Sequence, residues 1–175
     1  LPFYDGLHRT TSIKPVLTKH EAGGAFLAYG YAAVTGRLGV CCATVGPGAT
    51  NAVTGVAAAH MDSIPLLIIT GQVGTKSFGR SAHQEATGFG RTVDQVALFR
   101  HITKMSVMIA DKDIMSRTLR TALRVAQSGR PGPVHLAFPS NIQLEKIEEE
   151  VLPPAAYRPL DPASVPEPST IGEIA

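Results

Sequence analysis

Three short stretches carry residue types that can do chemistry. In Thr18-Lys19-His20-Glu21-Ala22-Gly23-Gly24-Ala25, a lone carboxylate, Glu21, enters an apolar helical run. Gly46-Pro47-Gly48-Ala49-Thr50-Asn51 forms a glycine-proline turn after an apolar strand. Ser81-Ala82-His83-Gln84-Glu85 lies within a long stretch rich in Gly, Ser and Thr. A carboxylate at a helix entrance can share a proton with an aromatic nitrogen. Beside a tight turn off a buried strand, it suggests a pocket for a flat heteroaromatic cofactor.

Each stretch also has a plainer reading. Thr18 to Glu21 has the form of a capping box, in which Thr18 bonds the amide of Glu21 and Glu21 reaches back to Thr18. The Gly46-Pro47-Gly48 turn resembles a nucleotide-binding turn, where helix amides hold a phosphate. Asn51, however, stands where the dinucleotide fingerprint needs its third glycine. The following strand ends in Thr70-Gly71-Gln72, without the required acid. A nicotinamide dinucleotide is therefore not expected. His83 and Gln84, taken alone, read as solvated loop residues. The 6 histidines are scattered without metal-ligand spacing.

Alternating strands and helices must position these groups. Leu1 to His8 reads as the end of a helix, and Ile13 to Thr18 as a short strand. Thr18 caps a helix that runs to about Thr35 and is ended by Gly36. Leu38 to Val45 is continuously apolar, the mark of a strand covered on both faces. Pro47 suits the first turn of a helix ending near Met61. Pro65 to Thr70 reads as a buried strand, and Thr75 to Gly90 as a long loop of the kind that carries function. A short helix over Val93 to Phe99 and a strand over Ile102 to Ile109 follow. Asp113 to Ser128 is amphipathic, with Met115, Leu119, Ala122 and Ala126 on one face. Val134 to Phe138 is the last strand. The pattern predicts an α/β fold with a doubly wound, mostly parallel sheet and helices on both faces. The domain spans residues 1–145, and the proline-rich stretch 146–175 reads as a linker towards a further domain.

Composition narrows the class. The 175 residues are 44% hydrophobic and 17% charged, so much of the surface is expected to lie under a partner domain or subunit. A net charge of +2 without a basic block gives no support for nucleic-acid binding. The longest apolar run, Ile64 to Ile69, is too short to span a bilayer, so no membrane partner is expected. No signal peptide is visible, and the adjacent Cys41 and Cys42 point to opposite faces of a strand. Both suit core packing in a reducing cytoplasm. The chain starts at Leu1 rather than Met, which suggests a piece of a longer protein.

Taken together, the motifs are more specific than any one alone. Lys19-His20-Glu21-Ala22-Gly23-Gly24-Ala25 resembles the Arg-His-Glu-Gln-Gly-Ala stretch of acetolactate synthase-like thiamine diphosphate enzymes. Gly46-Pro47-Gly48-Ala49-Thr50-Asn51 matches their Gly-Pro-Gly-Ala-Thr-Asn turn in full. Met61 to Leu66, Ile69 to Val73, Gln84-Glu85, Ile102-Thr103-Lys104 and Gly129 to Val134 continue the likeness in order. It runs from Leu1 to about Gln143.

The resemblance implies an amino-terminal, pyrimidine-binding domain. It implies that Glu21 bonds N1′ of the cofactor's aminopyrimidine and promotes the imino tautomer that deprotonates the thiazolium carbon. A carboxylate among apolar neighbours is expected to resist ionisation, partly offset by the helix terminus. The resemblance places Pro47, Asn51 and Gln84 near the cofactor. His83 stands where acetolactate synthases usually have Phe, which makes it the substrate-side candidate. The implied cofactors are thiamine diphosphate and Mg2+, both needing a diphosphate-binding domain, since no Gly-Asp-Gly motif with a later Asn is present. FAD in the parent enzyme is left open. The usual first helix and strand, with their Gly-x-Pro-Gly turn, are not seen before Leu1.

The implied activity is decarboxylation and carboligation of 2-oxo acids by a cytoplasmic homodimer or tetramer, a transferase or lyase. Such an isolated piece is expected to be inactive. Another 2-oxo acid decarboxylase or carboligase is the same-class alternative. A non-catalytic assembly domain keeping the fold is the alternative of another class.

Overall fold

The computed structural model describes residues 2–148 and 152–158. In chain order the elements are α1 (Pro2–Arg9), α2 (Glu21–Thr35), β1 (Gly39–Ala43), α3 (Pro47–Met61), β2 (Leu66–Gln72), α4 (Gln95–Arg100), β3 (Met105–Met108), α5 (Met115–Gln127) and β4 (Pro133–Pro139). The four strands form one parallel sheet in the order β1-β2-β4-β3. The chain therefore passes over β4 on its way from β2 to β3.

The continuous apolar run of β2 is explained by its two covered faces. Leu66 and Ile68 point towards Ala25 and Ala28 of α2, Ala49, Ala52, Val56 and Ala59 of α3, and Phe99 of α4. Leu67, together with Val134 and Leu136 of β4, packs against Ala122 and Ala126 of α5. Leu66 and Ile68 are completely buried, each contributing about 2 kcal/mol. Small residues at the α2–α3 contact bring two apolar helices close. The expected doubly wound architecture, with helices on both faces, is the one observed.

The turns follow from local chemistry. Pro47 begins α3, where its missing amide hydrogen is not needed. Lys104 joins two of the motif segments. Its ammonium donates to the carbonyls of Val125, Ser128 and Arg130 at 2.6, 2.7 and 2.8 Å, satisfying the carboxyl end of α5.

Three expectations are corrected. Ile13 to Thr18 is not a strand: the segment has no ladder partner, and Ile13, Val16 and Leu17 are 53%, 69% and 95% exposed. Apolar composition alone does not make a strand without an edge to pair with. β1 is not covered on both faces: Cys41 packs on the α2–α3 side, whereas Val40, pointing the other way, is 55% exposed. Thr18 is not the cap of α2. His20 takes that place, its Nδ1 accepting from the Ala22 amide at 3.2 Å.

The segment expected to be a linker falls largely outside the described residues. Within it, Pro154–Tyr157 forms a short 3-10 turn.

Candidate functional site

Glu21 is the first residue of α2, and Asn51 lies on the first turns of α3. The α2–α3 packing brings the two side chains together. Asn51 Nδ2 donates to Glu21 Oε2 at 3.0 Å. Thr18 Oγ1 donates instead to the His20 carbonyl at 3.0 Å, so neither bond of the capping box forms. Among the described residues, no other side chain bonds the Glu21 carboxylate, and Oε1 stays free to take a further partner.

Glu21 is half-buried, and its pKa lies below the ordinary carboxylate value. The Asn51 amide is the main cause, followed by the residue's own backbone N–H, and together they outweigh desolvation. The expected resistance to ionisation is thus not found. A donor amide on one side and an open approach on the other favour the charged form.

The Gly46-Pro47-Gly48 turn holds this carboxylate in place. A Cβ at Gly48 would lie 2.7 Å from Thr44 Cγ2 and 3.3 Å from Glu21 Oε1. Only glycine leaves that space to the carboxylate. Gly46 has φ 67°, and a Cβ there would meet the Gln84 carbonyl oxygen at 2.9 Å. Pro47 thus stands between two glycines, one backed by Gln84 and the other by Glu21.

Gln84 is exposed and sits in the left-handed region at φ 61°. Glu85, beside it, is buried, and its carboxylate accepts from the Gly79 and Ala82 amides at 2.6 and 3.2 Å and from Thr87 Oγ1 at 2.6 Å. These bonds hold its pKa below the ordinary value, the Thr87 hydroxyl foremost. The amide of Gln72, at the end of β2, clamps Ala86: Nε2 donates to the Ala86 carbonyl at 2.8 Å, and Oε1 accepts from the Ala86 amide at 3.3 Å. Gln95, fully buried at the start of α4, donates to the Gly71 carbonyl at 2.8 Å and accepts from the Gly46 amide at 3.4 Å.

The structure therefore brings Glu21, Pro47, Asn51 and the backbone of Gln84 to one place at the carboxyl end of β1. His83 is on the same loop, exposed beside Gln84, with no hydrogen bond to Glu21 or Asn51. The supporting roles of Gln72, Gln95 and Glu85 are not evident from the sequence. Their one signal is a long polar side chain next to a strand end or within a glycine-rich loop. Two surface clefts are lined by residues other than Glu21. One is bordered by α1 and by Gln143 and Leu144, the other by Gln72, Ala86 and β3.

His135 is completely buried in β4 and stacked on Phe99 with ring centroids 4.3 Å apart. Its Nε2 is 2.8 Å from Thr70 Oγ1, and its Nδ1 is 2.8 Å from Ser106 Oγ. Ser106 donates its hydroxyl hydrogen to the Val96 carbonyl at 2.7 Å, so Nδ1 carries the proton and Nε2 accepts from Thr70. Burial pushes this imidazole from the ordinary 6.5 down to about 3. It is a neutral structural group that ties three strands to α4.

A carboxylate, an amide and a glycine-proline turn meet at the strand ends of this parallel α/β sheet, the place where open sheets of this kind take ligands. The chain belongs to the thiamine pyrophosphate enzyme family, matching its N-terminal TPP binding domain over residues 1–98. It is 47% identical over 143 residues to the probable acetolactate synthase large subunit of Methanococcus aeolicus, covering 82% of this chain and 22% of that protein. It is 43% identical over 164 residues to the acetolactate synthase large subunit of Corynebacterium glutamicum, covering 91% and 25%. With the acetolactate synthase isozyme 1 large subunit of Escherichia coli K12 it shares 40% over 163 residues, covering 93% and 28%. The chain spans about a quarter of the length of these curated relatives.

Proposed function

We propose that this chain is the pyrimidine-binding part of a thiamine diphosphate-dependent enzyme that decarboxylates and joins 2-oxo acids in the manner of an acetolactate synthase, the name its relatives carry. One observation carries the reading: Asn51 holds one oxygen of Glu21, and the other faces the open side of the Gly46–Gly48 turn. That donor set fits an aminopyrimidine, whose ring nitrogen needs a carboxylate partner. Thiamine diphosphate, when bound, supplies an acidic thiazolium carbon and an electron sink.

The work of this chain is to hold and move one proton. Glu21, whose carboxylate favours the charged form, would share that proton with the pyrimidine nitrogen N1′ through Oε1. Asn51 keeps the carboxylate from rotating, and Pro47 and Gln84 border the ring. His83, exposed beside Gln84, faces the acceptor substrate. Among the described residues, no three His, Cys, Asp or Glu side chains gather to hold a metal ion. In this reading Mg2+ and the diphosphate are held by residues outside this chain, and the isolated chain carries half of a cofactor site. FAD stays open in the full enzyme.

The domain boundary near residue 145 and the linker beyond it belong to the same reading. So does assembly as a homodimer or tetramer. The exposed Phe26, Leu27, Tyr31 and Val34 on α2 support it, because an apolar helix surface beside the site needs a cover. A cytoplasmic location belongs to the same reading; among the described residues, no helix is long and apolar enough to cross a membrane.

The full-length protein, given thiamine diphosphate, Mg2+ and pyruvate, should release carbon dioxide and form a carbon–carbon bond. No cofactor-dependent release across a panel of 2-oxo acids would overturn the proposal.

A further inference from the structure

The stretch from Gly79 to Thr87 belongs to the long loop read from the sequence, and it is built around a buried anion. Glu85 accepts three hydrogen bonds from groups on both sides of it in the chain, at Gly79, Ala82 and Thr87. The next residue, Ala86, has both its amide and its carbonyl held by the side chain of Gln72. The Gln95 amide also donates to the Ala86 carbonyl at 3.3 Å. Gln84 precedes these anchored residues. It is kept in a left-handed conformation that glutamine rarely adopts, with its carbonyl against Gly46. A strained residue persists only where its surroundings over-determine it. Here Glu85 and Gln72 do so.

We infer that Glu85 and Gln72 are positioning residues, which lock the loop before any cofactor arrives and fix Gln84 and His83 at the edge of the Glu21 site. This rests on the proposed reading that Gln84 borders the pyrimidine. The locked loop itself rests only on the hydrogen bonds. It follows that the loop is a preformed wall and not a lid ordered by ligand. Glu85→Gln keeps the shape but sets an NH2 group against amide donors, so one of the three bonds must break. Gln72→Glu likewise removes the donor to the Ala86 carbonyl.

The test has two arms, both in the full-length protein. The first is hydrogen exchange without cofactor. The amides of Gly79, Ala82 and Ala86 should be protected in the wild type and exchange at least about tenfold faster in Glu85→Gln, while the amides of β2 and β4 are unchanged. Unprotected amides in the wild type, or equal rates in the variant, would overturn the locked loop. If Glu85→Gln does not fold, Thr87→Val removes one hydroxyl donor with little change of shape, and the same acceleration is expected.

The second arm is a double-mutant cycle on thiamine diphosphate affinity. Glu85→Gln and Gln84→Ala should each weaken binding about tenfold, and the double variant should bind no worse than Gln84→Ala alone. Additive losses, about a hundredfold together, would show that Glu85 does not act through Gln84 and overturn its positioning role. A wild-type protein that does not bind thiamine diphosphate at all would instead remove the proposed function, leaving the exchange arm to decide the loop.

Discussion

Asn51 Nδ2 donates to Glu21 Oε2 at 3.0 Å, linking residues 30 apart in sequence across the α2–α3 contact. The bond takes Glu21 out of any capping role. It follows that Glu21→Gln in the full-length protein should leave the melting temperature within about 2 °C, because no cap bond is lost. Deuterium exchange at the thiazolium carbon should slow by about 10²–10⁴-fold, the range of general acid–base catalysis. Wild-type exchange in the variant would sink the proposed role.

The same pair sets a titration. Asn51→Ala removes the main group that holds the Glu21 pKa down. The pKa should rise, as followed by NMR of the labelled carboxyl group. Asn51→Asp should raise it further, since a second carboxylate repels the first. An unchanged or lowered value would contradict the assignment.

Gly48 should not tolerate a methyl group. Gly48→Ala presses on Thr44 Cγ2 and Glu21 Oε1, and overpacking of this kind costs about 1–3 kcal/mol. Thr44→Ser removes the Cγ2 atom and should restore part of the loss in urea denaturation. No rescue would mean that the strain lies elsewhere.

His83 is the substrate-side candidate. His83→Phe in the full-length enzyme should shift preference among polar and apolar acceptors, because a ring that can donate and accept hydrogen bonds is replaced by an apolar one. Identical kinetics across a panel of 2-oxo acids and aldehydes would make it a plain surface residue.

His135 links stability to pH. Its folded pKa, about 3, lies below the ordinary 6.5, so the unfolded chain binds the extra proton first. Its contribution is complete above about pH 6.5 and falls as pH drops towards about 3, by roughly 1.4 kcal/mol per unit. The depressed carboxyls of Glu21 and Glu85 add loss in the same direction at lower pH. Unfolding free energies that stay flat between about pH 6.5 and 4 would disprove the buried neutral imidazole.

Much of this was legible in the residues because it depends on neighbours. Pro47 starts α3, the apolar run of β2 is buried, and the spacing of Met115, Leu119, Ala122 and Ala126 makes α5. The pairing of Glu21 with the Gly46–Asn51 turn is legible only through the motif resemblance, because 30 residues separate Glu21 from Asn51. What escaped depends on distant partners. Ile13 to Thr18 has strand composition but meets no edge. His20 rather than Thr18 caps α2, because Thr18 turns to the His20 carbonyl. Gln95 finds Gly46 across 49 residues, and His135 finds Thr70 across 65. No local pattern marks a polar side chain whose partner lies that far away.

The sheet separates two kinds of surface. Glu21 and Asn51 belong to the helices on one face, whereas α5 packs on the other, with Arg117 and Thr121 exposed. Burial pushes the Cys41 thiol up to about 12, so little of it is thiolate near neutral pH. Cys42 is half-buried, with its thiol 3.5 Å from the Tyr4 hydroxyl. A cysteine introduced at Thr121 would therefore offer the more accessible thiol, a chemical handle for a dye or a solid support with the sheet standing between it and the carboxylate.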